Sequence, residues 1–466
     1  MSEKHSNSQK TIGTTVPLTA LSSEKFDEKG TFGAGIAFLD WLRKTEQNAW
    51  QLLPIHQTPL EPGSNEKHIP SPYKNYGVGL NTAYLSGGIK TPEPNKEELA
   101  EFKLKHADWL PNYALFCSLR DKFETDDWTL WPEDIRTRKV EAMGRYKEEV
   151  ADEIKKHIEM QWKLDFQYHL LRKKAHEYGI SLIGDCPFYI CLQSPLVWAN
   201  QELFDLTSDG KMTRVSGLPN GPKSHWGRQV WGHPLYKWEG YREGLVRFWK
   251  MRLRNLSHLF DWVRLDHAKG FFAYGVIDLE DEAKDCFKQA LEGEILEQLI
   301  NYAREKGLNI FAENSGTGTR RLMETLDKLK VPGIRLLRYA ISEKNDDGVC
   351  LKYANVPDYH KNTFACTTTH DTETLLGYLE LLSVKQKKVL ADHVSVGFSE
   401  DNKELAVRLR TAVIESPANW VLIPIQDWLL TTDRINVPGT EKEVGDENWR
   451  YEVETCVEDL AMINEE

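Results

Sequence analysis

The chain has no C-x-x-C pair, and its seven cysteines, at 117, 186, 191, 286, 350, 366 and 456, are odd in number and scattered over 466 residues. That pattern excludes a disulfide framework and a zinc ribbon, and it matches the reduced thiols of a cytoplasmic protein. The amino terminus, Met1-Ser2-Glu3-Lys4-His5-Ser6-Asn7, is polar and lacks an apolar signal core. No apolar run approaches the length of a membrane span. Basic charge is also short: the net charge is −12, which argues against nucleic acid or an anionic membrane as partner. No internal repeat or low-complexity segment stands out. No Gly-rich phosphate loop follows the first apolar run, which disfavours an open, doubly wound nucleotide-binding sheet.

What is present begins with eight short β-like runs: Ile12–Leu18, Ala49–Pro54, Ile180–Asp185, Phe260–Asp266, Leu308–Glu313, Gly333–Arg338, Asn362–His370 and Trp420–Gln426. Helix-patterned stretches separate most of them. Ile36, Leu39, Trp41 and Leu42 share one helical face, and Leu322, Leu326 and Leu329 share another. Strands alternating with helices read as parallel β/α units, and eight of them predict an α/β fold, a closed (β/α)8 TIM barrel with helical insertions. The second and third runs are too far apart for one crossover. Residues 86–160 between them are charged and helical in pattern, with an apolar stripe of Tyr113, Leu115, Phe116, Leu119 and Phe123. The expected organisation is therefore a first part of the barrel over 1–85, a helical insertion over 86–160, and the rest of the catalytic barrel over 161–466.

Asp266 and Glu313 end their runs, Asp371 directly follows His370 at the end of another, and Asp185 ends the third run. A single acid at a strand end is commonly a helix cap or an ion-pair partner. In a parallel barrel, however, all such ends lie on one face, where barrel enzymes place their sites. Arg264 lies two residues before Asp266 and so shares its side of the strand, where a guanidinium would hold the carboxylate ionised and oriented. Glu313 precedes Asn314-Ser315-Gly316, where a loop must start, and Thr372, Glu373 and Thr374 after Asp371 form a good helix start. One ionised and one protonated carboxyl meet the requirement for cleaving a glycosidic bond through a covalent intermediate. A third acid nearby raises the pKa of the proton donor. The same Asp266, His267, Glu313, His370 and Asp371 could instead be metal ligands, but there is no His-x-His pair on the first strand and the spacings fit a metal badly. The chain also holds 15 Trp and 17 Tyr. Most aromatics build cores, but Trp226 and Trp231 sit in a polar, Gly-containing segment with little core to fill, where stacking on a sugar ring would account for them.

An ordered series of short motifs then resembles the amylomaltase family, the 4-alpha-glucanotransferases of the α-amylase clan, over almost the whole chain. It includes Trp50-Gln51-Leu52-Leu53-Pro54, Ser71-Pro72-Tyr73, Gly184-Asp185, Trp231-Gly232, Arg264-Leu265-Asp266-His267, Ala312-Glu313 and Thr369-His370-Asp371. Asn436-Val437-Pro438-Gly439-Thr440 and Asn448-Trp449-Arg450 complete it. The resemblance implies a retaining transfer of α-1,4-glucan segments between maltooligosaccharides, with no metal or organic cofactor. By matching position it implies Asp266 as nucleophile, Glu313 as general acid/base and Asp371 as stabiliser of the distorted donor sugar. Tyr73, Asp185, Trp231, Arg264, His267 and His370 are implied as substrate-binding residues.

The chain departs from that pattern on the acceptor side. Many members carry an aromatic pair where this chain has Gly217-Leu218-Pro219-Asn220-Gly221-Pro222-Lys223, and Trp226 is the expected replacement. The stretch between Asp266 and Glu313 is short, the usual Glu-Asp pair is Glu313-Asn314, and Lys74-Asn75-Tyr76-Gly77 after Tyr73 is atypical. Two other functions stay open at this level: an α-1,4-glucan hydrolase on the same scaffold, and a carbohydrate-binding protein without turnover.

Overall fold

A computed structural model describes residues 10–460 apart from 62–63, 65–66, 221–226, 291–292, 316–317, 342–348 and 441–447. Eight parallel strands close into a barrel: β1 (Thr11–Thr15), β2 (Ala49–Gln51), β3 (Ser181–Cys186), β4 (Trp262–Leu265), β5 (Asn309–Ala312), β6 (Gly333–Leu336), β7 (Thr363–Cys366) and β8 (Trp420–Pro424). Six lie within the runs expected from the sequence, while β1 starts one residue before its run and β3 ends one residue after it. Neighbours in sequence are neighbours in the barrel, and β1 pairs with both β2 and β8 to close it. The strands are short and buried on both faces, which is why each reads as a brief apolar run rather than an alternating one.

The inward-facing positions explain how the barrel carries a site. Ile183, Phe311, Ile334, Phe364 and Leu422 form one apolar cluster with Trp262 and Trp420 packed against it. Phe311 stacks on Phe364 at 3.8 Å between ring centroids, and Phe364 on Trp420 at 5.2 Å. Side chains alternate along a strand, so the next residues on the same side are Asp185 after Ile183, Arg264 after Trp262 and Glu313 after Phe311. The barrel is thus apolar in its middle and charged at the carboxyl ends of its strands, the face on which barrel enzymes act.

Helices Phe32–Lys44 and Arg320–Leu329 bury the faces expected of them, including Leu39, Trp41, Leu42, Leu322, Leu326 and Leu329. Between β2 and β3 lie helices Lys96–Lys105, Leu110–Phe123, Val140–Glu149 and Ala151–Glu177. The stripe Tyr113, Leu115, Phe116 and Leu119 is buried, and it joins a hydrophobic cluster shared with the barrel's outer layer. Residue 160, where the sequence suggests the insertion ends, falls inside the 27-residue helix Ala151–Glu177, so a cut there would sever one continuous helix. Among the described residues, no helix is long and apolar enough to cross a membrane.

The sequence gives no hint of a second, four-stranded antiparallel sheet built by Arg214–Leu218, Gln229–Val230, Ala273–Asp278 and Cys286–Gln289. Two of these strands, Ala273–Asp278 and Cys286–Gln289, come from the short stretch between Asp266 and Glu313, and Arg214–Leu218 runs into the atypical segment that starts at Gly217. Their contact is close: a Cβ on Gly275 would stand 2.1 Å from the Gly217 carbonyl oxygen, so only glycine fits there.

Candidate active site

Arg264 is the hub. It is 6% exposed, and its guanidinium reaches three carboxylates. Nη1 lies 2.7 Å from Asp185 Oδ2 and 2.9 Å from Asp266 Oδ1, and Nη2 donates to Glu313 Oε2 at 2.8 Å. Burial of a cation with this many acids stabilises its charge, and the Arg264 pKa stands well above the ordinary value despite desolvation. The chain leaves β4 abruptly after Asp266. His267 takes a left-handed backbone conformation (φ 44°), rare for a residue with a side chain, and its N–H donates to Glu313 Oε2 at 3.0 Å. Ser315 Oγ donates to the other oxygen of Glu313 at 3.3 Å.

Tyr73 arrives from the loop after β2. Its hydroxyl donates to Asp185 Oδ2 at 2.8 Å and lies 2.9 Å from His370 Nε2, while its ring stacks on His370 with centroids 5.4 Å apart. His370 Nε2 is also 3.0 Å from Asp371 Oδ2. Asn436 Nδ2 donates to Asp371 Oδ1 at 2.6 Å. Trp231 stands edge-on to His267, centroids 4.9 Å apart, and its Nε1 donates to Gln229 Oε1. The structure therefore brings together nine of the ten residues singled out from the sequence: Tyr73, Asp185, Trp231, Arg264, Asp266, His267, Glu313, His370 and Asp371. The tenth, Trp226, lies outside the described residues. Sequence reasoning gave no role to Arg434, Asn436 and Trp449. Arg434 Nη2 donates to the Asp371 carbonyl at 3.1 Å, and the Trp449 ring packs 5.3 Å from Tyr73 and 5.6 Å from His370. Asn436 and Trp449 stand in the carboxyl-terminal motifs of the family series, the one signal that could have found them.

The surroundings of the two carboxyls expected to react are uneven. In the structure burial pushes the Asp266 carboxyl up, and the nearby Glu313 and Asp185 charges add to it against the pull of Arg264. Burial also acts to raise Glu313, but Arg264 Nη2 and the His267 N–H outweigh it and hold Glu313 below its ordinary value. The reason is geometric: Nη2 serves Glu313, whereas Nη1 is divided among Asp185, Asp266 and the Tyr73 oxygen, 3.1 Å away. Asp371 is partly exposed, and His370 and Asn436 hold it well below the carboxylate range. Burial brings the His267 imidazole down to about 4, so it is neutral.

Carboxylates converging at the carboxyl ends of barrel strands, braced by one arginine and bordered by Tyr73, His370 and Trp231, define a barrel enzyme that acts on glycosidic bonds. Within that class the family is specific. The model of the Glyco_hydro_77 family, 4-alpha-glucanotransferase, matches residues 16–88 and 78–458, and the chain belongs to that family. It is 29% identical over 473 residues to the 4-alpha-glucanotransferase of Clostridium butyricum, covering 93% of this chain and 95% of that protein. It is likewise 29% identical over 460 residues to the enzyme of the same name from Aquifex aeolicus, covering 89% and 90%. In fold it is similar to the amylomaltase of Streptococcus agalactiae solved with acarbose (TM-score 0.80, 24% identity, 96% and 95% of the chains covered). It is also similar to the Corynebacterium glutamicum amylomaltase (TM-score 0.76, 16% identity, 96% and 73% covered).

Proposed function

We propose that the chain moves α-1,4-glucan segments from one maltooligosaccharide to another by a retaining double displacement. Asp266 attacks the anomeric carbon of the donor sugar, and Glu313 gives its proton to the departing glycosidic oxygen. The segment is then held as an ester on Asp266 until the hydroxyl of an acceptor sugar attacks it, with Glu313 taking back the proton. Asp371, kept ionised by His370 and Asn436, grips the ring hydroxyls of the distorted donor, and Tyr73 with His370 walls the donor sugar. The first step needs the proton on Glu313 and the charge on Asp266. Arg264 Nη1, 2.9 Å from Asp266 Oδ1, stabilises that charge. Trp231 and Trp226 supply the acceptor platform that keeps water out while the ester waits.

The observation that carries this reading is the sharing of one buried guanidinium by Asp266 and Glu313, with Asp371 tied to the same cluster through His370 and Tyr73. The test is incubation of the purified protein with maltotriose and resolution of the products by length. Glucose with a ladder of longer maltooligosaccharides is the expected result. Glucose and maltose alone would replace transfer by hydrolysis, and no reaction would leave a carbohydrate-binding protein.

A further inference from the structure

Glu373 follows Asp371 by two residues, just before Thr374 caps the helix Leu375–Leu381. Its two carboxylate oxygens go to different cations. Oε2 accepts from Arg338 Nε at 2.8 Å, and Oε1 accepts from Arg434 Nη1 at 2.7 Å. Arg338 stands above β6, is 7% exposed, and lies over the Tyr378 ring. Arg434 comes from the carboxyl-terminal segment. Its Nη2 is divided between the carbonyl oxygens of Asp371 and Asn436, each 3.1 Å away, and the Asn436 amide holds Asp371 Oδ1. One carboxylate thus ties a barrel arginine to the arginine that fixes both the Asp371 backbone and the amide on its side chain.

We infer that Glu373 is a positioning residue for the glucan reaction: by bridging Arg338 and Arg434 it sets the attitude of the Asp371 carboxylate through Asn436. This rests on the part proposed for Asp371. Without Glu373, Arg434 loses its anchor, Asn436 drifts from Asp371 Oδ1, and Asp371 keeps His370 as its partner but loses its second donor. A displacement of such a group by about 1 Å costs on the order of 100-fold in rate. A simple staple for the carboxyl-terminal segment would instead lower thermal stability and leave the turnover of folded protein alone.

The test is Glu373→Gln, scored on total glucan bond cleavage, transfer and hydrolysis together, per folded molecule. The expected result is a fall in kcat of about 10–100-fold with KM changed by no more than about twofold. Glu373→Gln and Asn436→Ala should be non-additive, since they act on the same carboxylate. A kcat within about twofold of the parent, a KM that moves as much as kcat, or effects that simply multiply would overturn the inference. Should Glu373→Gln not fold, Arg434→Lys, which keeps a charge for Glu373 but cannot span both carbonyls, is read by the same criteria. A parent protein that hydrolyses but does not transfer would sink the transfer reading and leave this test standing. A parent without any cleavage would sink both.

Discussion

Arg264 Nη2 lies 2.8 Å from Glu313 Oε2, while Nη1 of the same guanidinium lies 2.9 Å from Asp266 Oδ1. One planar cation therefore contacts both of the carboxyls proposed as nucleophile and acid/base. Lysine cannot do this, because a single ammonium has no fork to divide between two carboxylates. Arg264→Lys is expected to lower kcat by at least about 100-fold, the scale on which one preorganised donor matters. With the guanidinium gone, Glu313 should keep its proton to higher pH, and the basic limb of kcat/KM against pH should move up. Near-parental activity with an unchanged profile would show that the arginine is only structural.

Tyr73→Phe isolates the hydroxyl from the ring. The ring remains stacked on His370, while the bonds to Asp185 and His370 are lost. The expected loss in kcat/KM is about tenfold, the worth of a hydrogen bond to a charged group. Tyr73→Ala, which also removes the wall of the donor sugar, should cost distinctly more. Equal losses in the two variants, measured with maltotriose as donor, would remove the hydroxyl from the account.

Stability should fall as the solution is acidified from neutral. Burial lowers His56, His106 and His233 from 6.5 to about 3 in the fold. The unfolded chain binds those protons near pH 6.5 and the fold does not, so stability is present above that pH and is lost on the way down to about 3. Asp126 works the other way: burial raises it to about 6, so it favours the fold at low pH and gives up that contribution as pH rises from about 4 to 6. Three histidines outweigh one aspartate. His106→Phe, a swap into a site beside Phe102 and Trp109, should therefore narrow its Tm difference from the parent, or reverse it, between about pH 7 and pH 4. Parallel Tm curves would contradict this.

The barrel was legible because its strands are buried on both sides, which turns each into a short apolar run, and because helical faces such as Leu322, Leu326 and Leu329 alternate with them. The acids were legible because alternation along a strand carries an apolar interior directly into a charged rim, as at Trp262, Arg264 and Asp266. Other parts of the site have no periodic signature. Arg434 and Asn436 reach Asp371 from more than sixty residues away, and only the folded chain puts them beside it. The second sheet was hidden for a different reason: Gly217 and Gly275, which its close pairing requires, weaken a strand pattern instead of marking one. How the Arg264 fork divides among its three carboxylates was out of reach as well, because the sequence names the arginine without its torsions.

Trp231→Ala should act on the acceptor side. The ring stands over His267 next to the nucleophile, so its loss should open the waiting ester to water. The expected outcome is a severalfold rise in the ratio of hydrolysis to transfer, with total donor consumption falling less, measured as reducing ends released per glucan lengthened. An unchanged ratio would move the acceptor platform to another residue of the loop.

The central claim is a covalent glucan on Asp266 in the middle of each transfer. It is tested most directly by giving Glu313→Gln an activated donor, α-maltotriosyl fluoride, whose leaving group needs no proton, and weighing the intact protein. The account predicts a stable gain of one maltotriosyl group, located by peptide mapping to Asp266, because the ester forms but no base activates the acceptor that would release it. No adduct despite consumption of the fluoride, or an adduct on any other residue, would contradict it.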